Sequence, residues 1–267
     1  MKTIRLFLIV LILIFLPAGT ASLPFSDTEQ SSSSPRITAH RGASALAPEN
    51  TLPAILAAIE AEADFVEIDV RETADGIPVL CHDASLLRTA KKDGYLQDYT
   101  YEELSSLDFG GWSADPCQKV PIPTLAQALE ACRGRIRMNI ELKSGEGLEE
   151  AVLALIEAYN MEEQVVISSV SLSCLEKIKE KKPDIPTGYI ASSPCLELLQ
   201  EETVDFFSVS AVWVTADFIR QAHRLGKEVH IWTVDTPQAL LSAKALGADN
   251  VITDCPDLAW SLFAQKP

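Results

Sequence analysis

From Arg36 onward, short runs rich in β-branched and aromatic residues alternate with stretches in which alanine and leucine recur at helical spacing. The strand-like runs cover 36–39, 65–70, 137–142, 165–169, 187–190, 206–209, 228–233 and 251–253. Between most of them the period of the apolar positions predicts helices over 51–62, 124–132, 147–159, 171–181, 216–225 and 237–246. Eight strands joined by helical crossovers predict an α/β fold, a parallel (β/α)8 TIM barrel, and a chain of 267 residues suits one such domain. A ninth run, 78–82, follows its neighbour too closely for a parallel crossover, which takes about a dozen residues. It reads as the return strand of a β-hairpin turning at Asp75-Gly76, a dipeptide suited to a two-residue loop. Pairing residues symmetrically about that dipeptide sets Asp69 opposite His82, with Glu67 pointing the same way.

The ends of the chain and its long connection read differently. Residues 1–21 carry Lys2 and Arg5, then an apolar run to Leu16, then small residues at 18–21. That is a signal-peptide pattern and predicts export to a periplasmic or extracellular space, an uncleaved anchor being the alternative. Residues 22–35, with four consecutive serines, read as a flexible linker, which leaves 36–267 for the barrel domain. The stretch 84–123 is too long for an idle loop. Its Tyr95, Tyr99, Tyr101, Phe109 and Trp112 predict a small insertion with its own cluster, including a short helix over 101–107.

A net charge of -16 argues against nucleic-acid partners, since sequence-independent binding rests on basic residues against phosphates. No obligate protein partner is evident from the sequence. The six cysteines (81, 117, 132, 174, 195 and 255) contain no C-x-x-C pair and do not support a zinc site. Cys132 and Cys174 read as small buried apolar residues.

Barrel active sites lie at the C-terminal ends of the strands, so those ends carry the chemistry. They bring His40, Arg41, Glu67, Asp69, Glu141, Lys143, Trp232 and Asp254 to one rim, and the hairpin returns His82. Three carboxylates without soft ligands suit a hard divalent cation, Ca2+ or Mg2+. A guanidinium and an ammonium beside it match a phosphate oxyanion. Two histidines can divide the proton transfers of a hydrolysis. Each group taken singly also has a structural reading, as an ion pair or a packed strand end. Trp232 could stack on a substrate or merely cap the barrel.

The segments at 39–42 (AHRG), 47–51 (APENT), 67–70 (EIDV), 73–79 (TADGIPV), 81–83 (CHD), 139–143 (NIELK), 231–234 (IWTV) and 252–254 (ITD) resemble those of the glycerophosphodiester phosphodiesterases, phospholipase-C-like TIM barrels. The resemblance runs from about residue 37 to 257. It implies metal-dependent hydrolysis of small glycerophosphodiesters to sn-glycerol 3-phosphate and an alcohol. It further implies His40 and His82 as the acid/base pair, Glu67, Asp69 and Glu141 as metal ligands, and Arg41 and Lys143 on the phosphate. Glu49 stands where the family keeps a supporting acid. On the helix side, Thr51 suits an N-cap. Two alternatives remain at this stage: a phospholipase-D-like reaction on lysophospholipids or sphingolipids, and a silent phosphoester-binding protein.

Overall fold

Each of the eight expected strands pairs with the next, and the last closes on the first. In a computed structural model describing residues 34–110, 119–143 and 147–264, the strands of the ring are Arg36–Ala39 (β1), Phe65–Glu72 (β2), Arg137–Leu142 (β4), Val165–Ser169 (β5), Thr187–Ala191 (β6), Phe206–Ser210 (β7), Glu228–Trp232 (β8) and Asn250–Thr253 (β9). All eight run parallel, and β1 pairs with both β2 and β9 to shut the barrel. The segment 1–33, Trp112 and Cys117 fall outside the described residues.

Helices follow the strands as the periodicity predicts: Leu52–Glu60 (α1), Leu125–Cys132 (α4), Leu148–Ala158 (α5), Leu172–Lys181 (α6), Ala216–Arg224 (α7) and Pro237–Leu246 (α8). Thr51, Thr124, Ser171, Thr215 and Thr236 each accept a hydrogen bond from a first-turn amide, so side-chain caps set these helix starts. A further helix over Pro256–Phe263 (α9) was not evident in the pattern; Pro256 at its first position sets the start. Outward strand residues such as Val66, Ile68, Ile140 and Ile167 pack on this helical layer and are buried. Cys132 and Cys174 are buried in that core, and the five described cysteines are all free.

The barrel interior is not apolar throughout. Phe65, Val166 and Phe206 form a plug near the N-terminal ends of their strands. Above them Thr38 bonds Asn250, Ser168 bonds Asn139, and Ser208 is buried with them. The plug depends on Gly188, where a Cβ would stand 2.0 Å from the Phe206 ring. Gly188→Ala is expected to destabilise the fold by about 1–3 kcal/mol through overpacking, read as a lower denaturant midpoint at unchanged slope.

The hairpin forms, with Pro78–Leu80 (β3) antiparallel to the end of β2. Its register differs by one residue from the expected one. Val70 faces Leu80, Arg71 faces Val79, and Asp69 accepts a hydrogen bond from the Cys81 amide rather than facing His82. The loop has three residues: the Thr73 amide donates to the Ile77 carbonyl, and of the Asp75-Gly76 pair only Gly76 has positive φ. That is a turn followed by a left-handed glycine, not the two-residue loop in which both residues are left-handed. A one-residue slip would carry His82 to the wrong face if the strand continued. It does not continue, because β3 ends at Leu80 and the Arg71 guanidinium grips the His82 carbonyl at 2.7 and 2.9 Å. His82 enters the site from that loop.

The barrel geometry gives β3 its place. β1 is short and occupies the edge of β2 only up to the Glu67 carbonyl, which accepts from the Gly42 amide. Beyond that point the same edge is free, and β3 takes it. The insertion then holds helices Leu87–Ala90 (α2) and Tyr101–Ser105 (α3), the latter capped by a reciprocal Thr100–Glu103 box. It packs Leu86, Leu96, Leu104, Phe109 and Ile122 into a cluster separate from the main core.

Candidate active site

At the C-terminal rim the chain after β1 turns sharply. Arg41 has φ 57 and Gly42 φ 83, and a Cβ on Gly42 would strike the Ala54 backbone at 2.6 Å. The turn aims the Arg41 amide at Glu67 Oε2, 2.7 Å away. Asn50, also left-handed at φ 55, clasps Asp69 from both ends: its amide donates to Oδ2 at 2.7 Å, and its oxygen accepts from the Asp69 amide at 2.9 Å. Backbone in this region costs an L-residue about 1–3 kcal/mol and persists where other contacts hold it.

Glu67 and Asp69 on β2 and Glu141 on β4 offer carboxylate oxygens that lie within 4.8 Å of one another. Asp69 faces Glu141 across the parallel pair, so register alone brings those two together. Lys143 Nζ stands 2.9 Å from Asp69 Oδ1 and also pairs with Glu141, while Arg41 Nε lies 3.5 Å from Asp69 Oδ2. Three carboxylates share two cations, and the shortfall falls on Glu67. Burial, then the neighbouring Asp69 charge, push its carboxyl up to about 8. Its Oε1 is buried with no hydrogen-bond partner among the described residues. Glu141 is raised for the same reasons. Asp69, although burial opposes its charge, is lowered because Lys143 and Arg41 favour the carboxylate. A carboxylate trio with one orphaned oxygen, acceptor-only once Glu67 gives up its proton, fits a divalent cation.

Both imidazoles are oriented through Nδ1. His40 Nδ1 lies 2.7 Å from Asp254 Oδ1, and His82 Nδ1 lies 2.7 Å from Asp83 Oδ1. Each ring therefore turns Nε2 away from its carboxylate, and His40 Nε2 accepts from Arg41 Nε at 3.3 Å. Burial works against a charge on His40, but the bond to Asp254 and the field of Glu67 outweigh it and raise its pKa. His82 goes the other way, lowered chiefly by burial. Asp254 is itself fixed, its amide donating to Asp235 Oδ1 at 2.8 Å.

These groups line a cavity of about 250 Å³. Its charged wall carries His40, Arg41, Glu67, His82, Glu141 and Lys143; its other wall carries Ser168, Val170, Ile190, Ser208 and Trp232. Trp232 faces the cavity with its indole N–H held by the Ser208 carbonyl at 3.0 Å. Glu49 stands behind the wall, 2.9 Å from Arg41 Nη1. All the residues singled out in the sequence converge. The sequence reading missed Asn50, Asp83 and Arg88. A signal existed for Asn50, since asparagine tolerates the left-handed backbone better than most residues.

The chain also has relatives. The model of the glycerophosphoryl diester phosphodiesterase family matches residues 40–258. A glycerophosphodiester phosphodiesterase of Caldanaerobacter subterraneus is 32% identical over 229 residues, spanning 83% of this chain and 94% of that protein. One from Bacillus altitudinis is 32% identical over 235 residues, spanning 84% and 96%. Among solved structures, an Oleispira antarctica phosphodiesterase in complex with its product sn-glycerol-3-phosphate superposes with a TM-score of 0.82 at 31% identity, covering 86% of this chain and 97% of that one. Matched over most of its length, with the barrel and its rim in place, the chain belongs to the glycerophosphoryl diester phosphodiesterase family.

Proposed function

We propose that this protein hydrolyses glycerophosphodiesters to sn-glycerol 3-phosphate and an alcohol, aided by a divalent cation, Ca2+ or Mg2+. The observation that carries the reading is the carboxylate trio, with Glu67 Oε1 orphaned, beside two oriented imidazoles and two cations in one cavity. Glu67, Asp69 and Glu141 would hold the ion, which when bound supplies Lewis-acid polarisation of a phosphoryl oxygen. Arg41 and Lys143 bind the phosphate charge, as fork and point charge respectively.

The two histidines take opposite roles. His82, whose pKa is lowered, suits the base; His40, whose pKa is raised, suits the acid. Nε2 of His82 removes a proton from the nucleophile, water or the substrate's own 2-hydroxyl, as the new P–O bond forms. Nε2 of His40 gives a proton to the leaving alkoxide as the old P–O bond breaks. Attack by the 2-hydroxyl would pass through a cyclic phosphate that water then opens. Arg41 Nε, 3.3 Å from His40 Nε2, turns to the phosphate in this scheme. Export through segment 1–21 fits retrieval of phosphate or glycerol from lipid headgroup debris.

One observation favours a second reading, phospholipase-D-like cleavage of lysophospholipids or sphingolipids. Val170, Leu196, Val212 and Trp213, after β5, β6 and β7, are exposed, and Val170 also lines the cavity. An apolar rim next to the neutral wall could take a hydrocarbon chain. A substrate panel separates the readings. Glycerophosphocholine, glycerophosphoethanolamine and palmitoyl lysophosphatidylcholine are assayed with Ca2+, Mg2+ or chelator. Turnover confined to the deacylated diesters and abolished by chelation is expected. Preference for the acylated substrate would replace the first reading by the second, and turnover surviving exhaustive chelation would remove the cation.

A further inference from the structure

Arg88, on α2 of the insertion, touches two carboxylates with three nitrogens. Its Nε lies 2.6 Å from Asp83 Oδ2, and its Nη1 and Nη2 lie 2.6 and 2.8 Å from the two oxygens of Glu49. Each carboxylate has a second contact, and both of those contacts are working groups of the cavity. Asp83 Oδ1 stands 2.7 Å from His82 Nδ1, and Glu49 Oε1 stands 2.9 Å from Arg41 Nη1. One guanidinium thus joins the backing of an imidazole to the backing of a phosphate-binding cation.

Charge decides what that junction does. Glu49 and Asp83 carry two negative charges, and Arg88 supplies against them a positive charge that Arg41, which also lies 3.5 Å from Asp69, then need not give up. Without Arg88, Glu49 would bond to Arg41 alone and cancel the positive charge that Arg41 offers to a phosphate. The Glu49 side chain is only 15% exposed, so water would compensate it poorly. Asp83 would also lose a tether, and His82 Nδ1 would lose its fixed partner. A purely structural role explains the geometry less well. Arg88 itself is 48% exposed, and exposed ion pairs contribute little to stability. The insertion has an apolar cluster of its own, of which Arg88 is not a member.

We propose that Arg88 is a positioning residue for phosphodiester hydrolysis, drawing Glu49 away from Arg41 and holding Asp83 behind His82. The proposal rests on the hydrolytic reading given above. Arg88→Met in the full chain is expected to raise KM for glycerophosphocholine about tenfold, by cancelling the Arg41 charge. It should also lower kcat about 10- to 100-fold, by loosening His82. Adding Glu49→Gln to Arg88→Met should return KM toward the wild-type value while kcat stays low, an outcome that a scaffold role would not produce. Arg88→Lys keeps the charge without the fork, and it should fall between the two in both parameters.

Thermal melting of each variant reports folding; should Arg88→Met not fold, Arg88→Lys and Arg88→Lys/Glu49→Gln carry the same comparison. Wild-type kcat and KM in the folded variant, or a KM that Glu49→Gln does not restore, overturns the proposal and leaves the hydrolytic reading intact. A wild-type chain inactive on every diester of the panel overturns both.

Discussion

Replacing His40 by alanine is expected to lower kcat on glycerophosphocholine by about 10²- to 10⁴-fold, the usual contribution of a positioned proton donor. The leaving group of that substrate is an alkoxide, too basic to depart without a proton. If His40 is the acid, the loss should shrink sharply on a p-nitrophenyl phosphodiester of glycerol, whose leaving group needs no proton. His82→Ala should be slow on both substrates, because the nucleophile still has to lose its proton. The pH profile follows from the same assignment. The base works unprotonated, so the acid limb of kcat/KM should lie below the ordinary histidine value of 6.5, where burial puts His82. The acid works protonated, so the alkaline limb should lie above 6.5, where, against its burial, the hydrogen bond to Asp254 raises His40. His40→Ala should erase the alkaline limb and His82→Ala the acid limb. Equal losses of His40→Ala on both leaving groups would refute its role as acid, and the opposite pattern would exchange the two roles.

The parts of this site that were legible in the sequence are those fixed by strand periodicity and strand ends. Glu67, Asp69, Glu141 and Lys143 point inward because alternate residues of a barrel strand do, and parallel register then sets Asp69 beside Glu141. The hairpin was legible as an element but not in its register. Asp75-Gly76 fits a three-residue loop with a left-handed glycine as well as a two-residue loop, and local sequence does not choose between them. His82 reached the site all the same, through a loop fastened by Arg71, so a correct grouping came from a pairing that does not exist. Asn50, Asp83 and Arg88 were not legible because their importance lies in partners that only folding brings near. Arg88 lies 39 residues from Glu49 and meets it only because the insertion folds back on the loop after β1. Such contacts leave no period and no motif of their own.

Changing Glu67 to glutamine is expected to abolish the response to a divalent cation and to make the cation-free protein more stable at alkaline pH. Glu67 is ordinarily ionised above about pH 4.3 in an unfolded chain. In the folded cation-free protein, burial and Asp69 hold its carboxyl up to about 8. Between those two values the folded state binds the extra proton, so this group makes stability fall as pH rises from about 4.3 toward 8. Glutamine has nearly the same shape and does not titrate, so that slope should vanish. The variant should match wild type near pH 5 and exceed it near pH 8 when chelator is present. With Ca2+ or Mg2+ the order should reverse. An ion that binds the folded state alone stabilises by RT ln(1 + [L]/Kd), about 2.7 kcal/mol at a hundredfold excess over Kd, and only wild type offers the full anionic trio. Chemical denaturation at pH 5 and pH 8, with cation and with chelator, reads all four corners. A wild-type protein indifferent to both cations, or a variant that responds to them as wild type does, would take Glu67 out of the ligand set. A hydrolysis rate in Glu67→Gln comparable to wild type would make the same point from the side of catalysis.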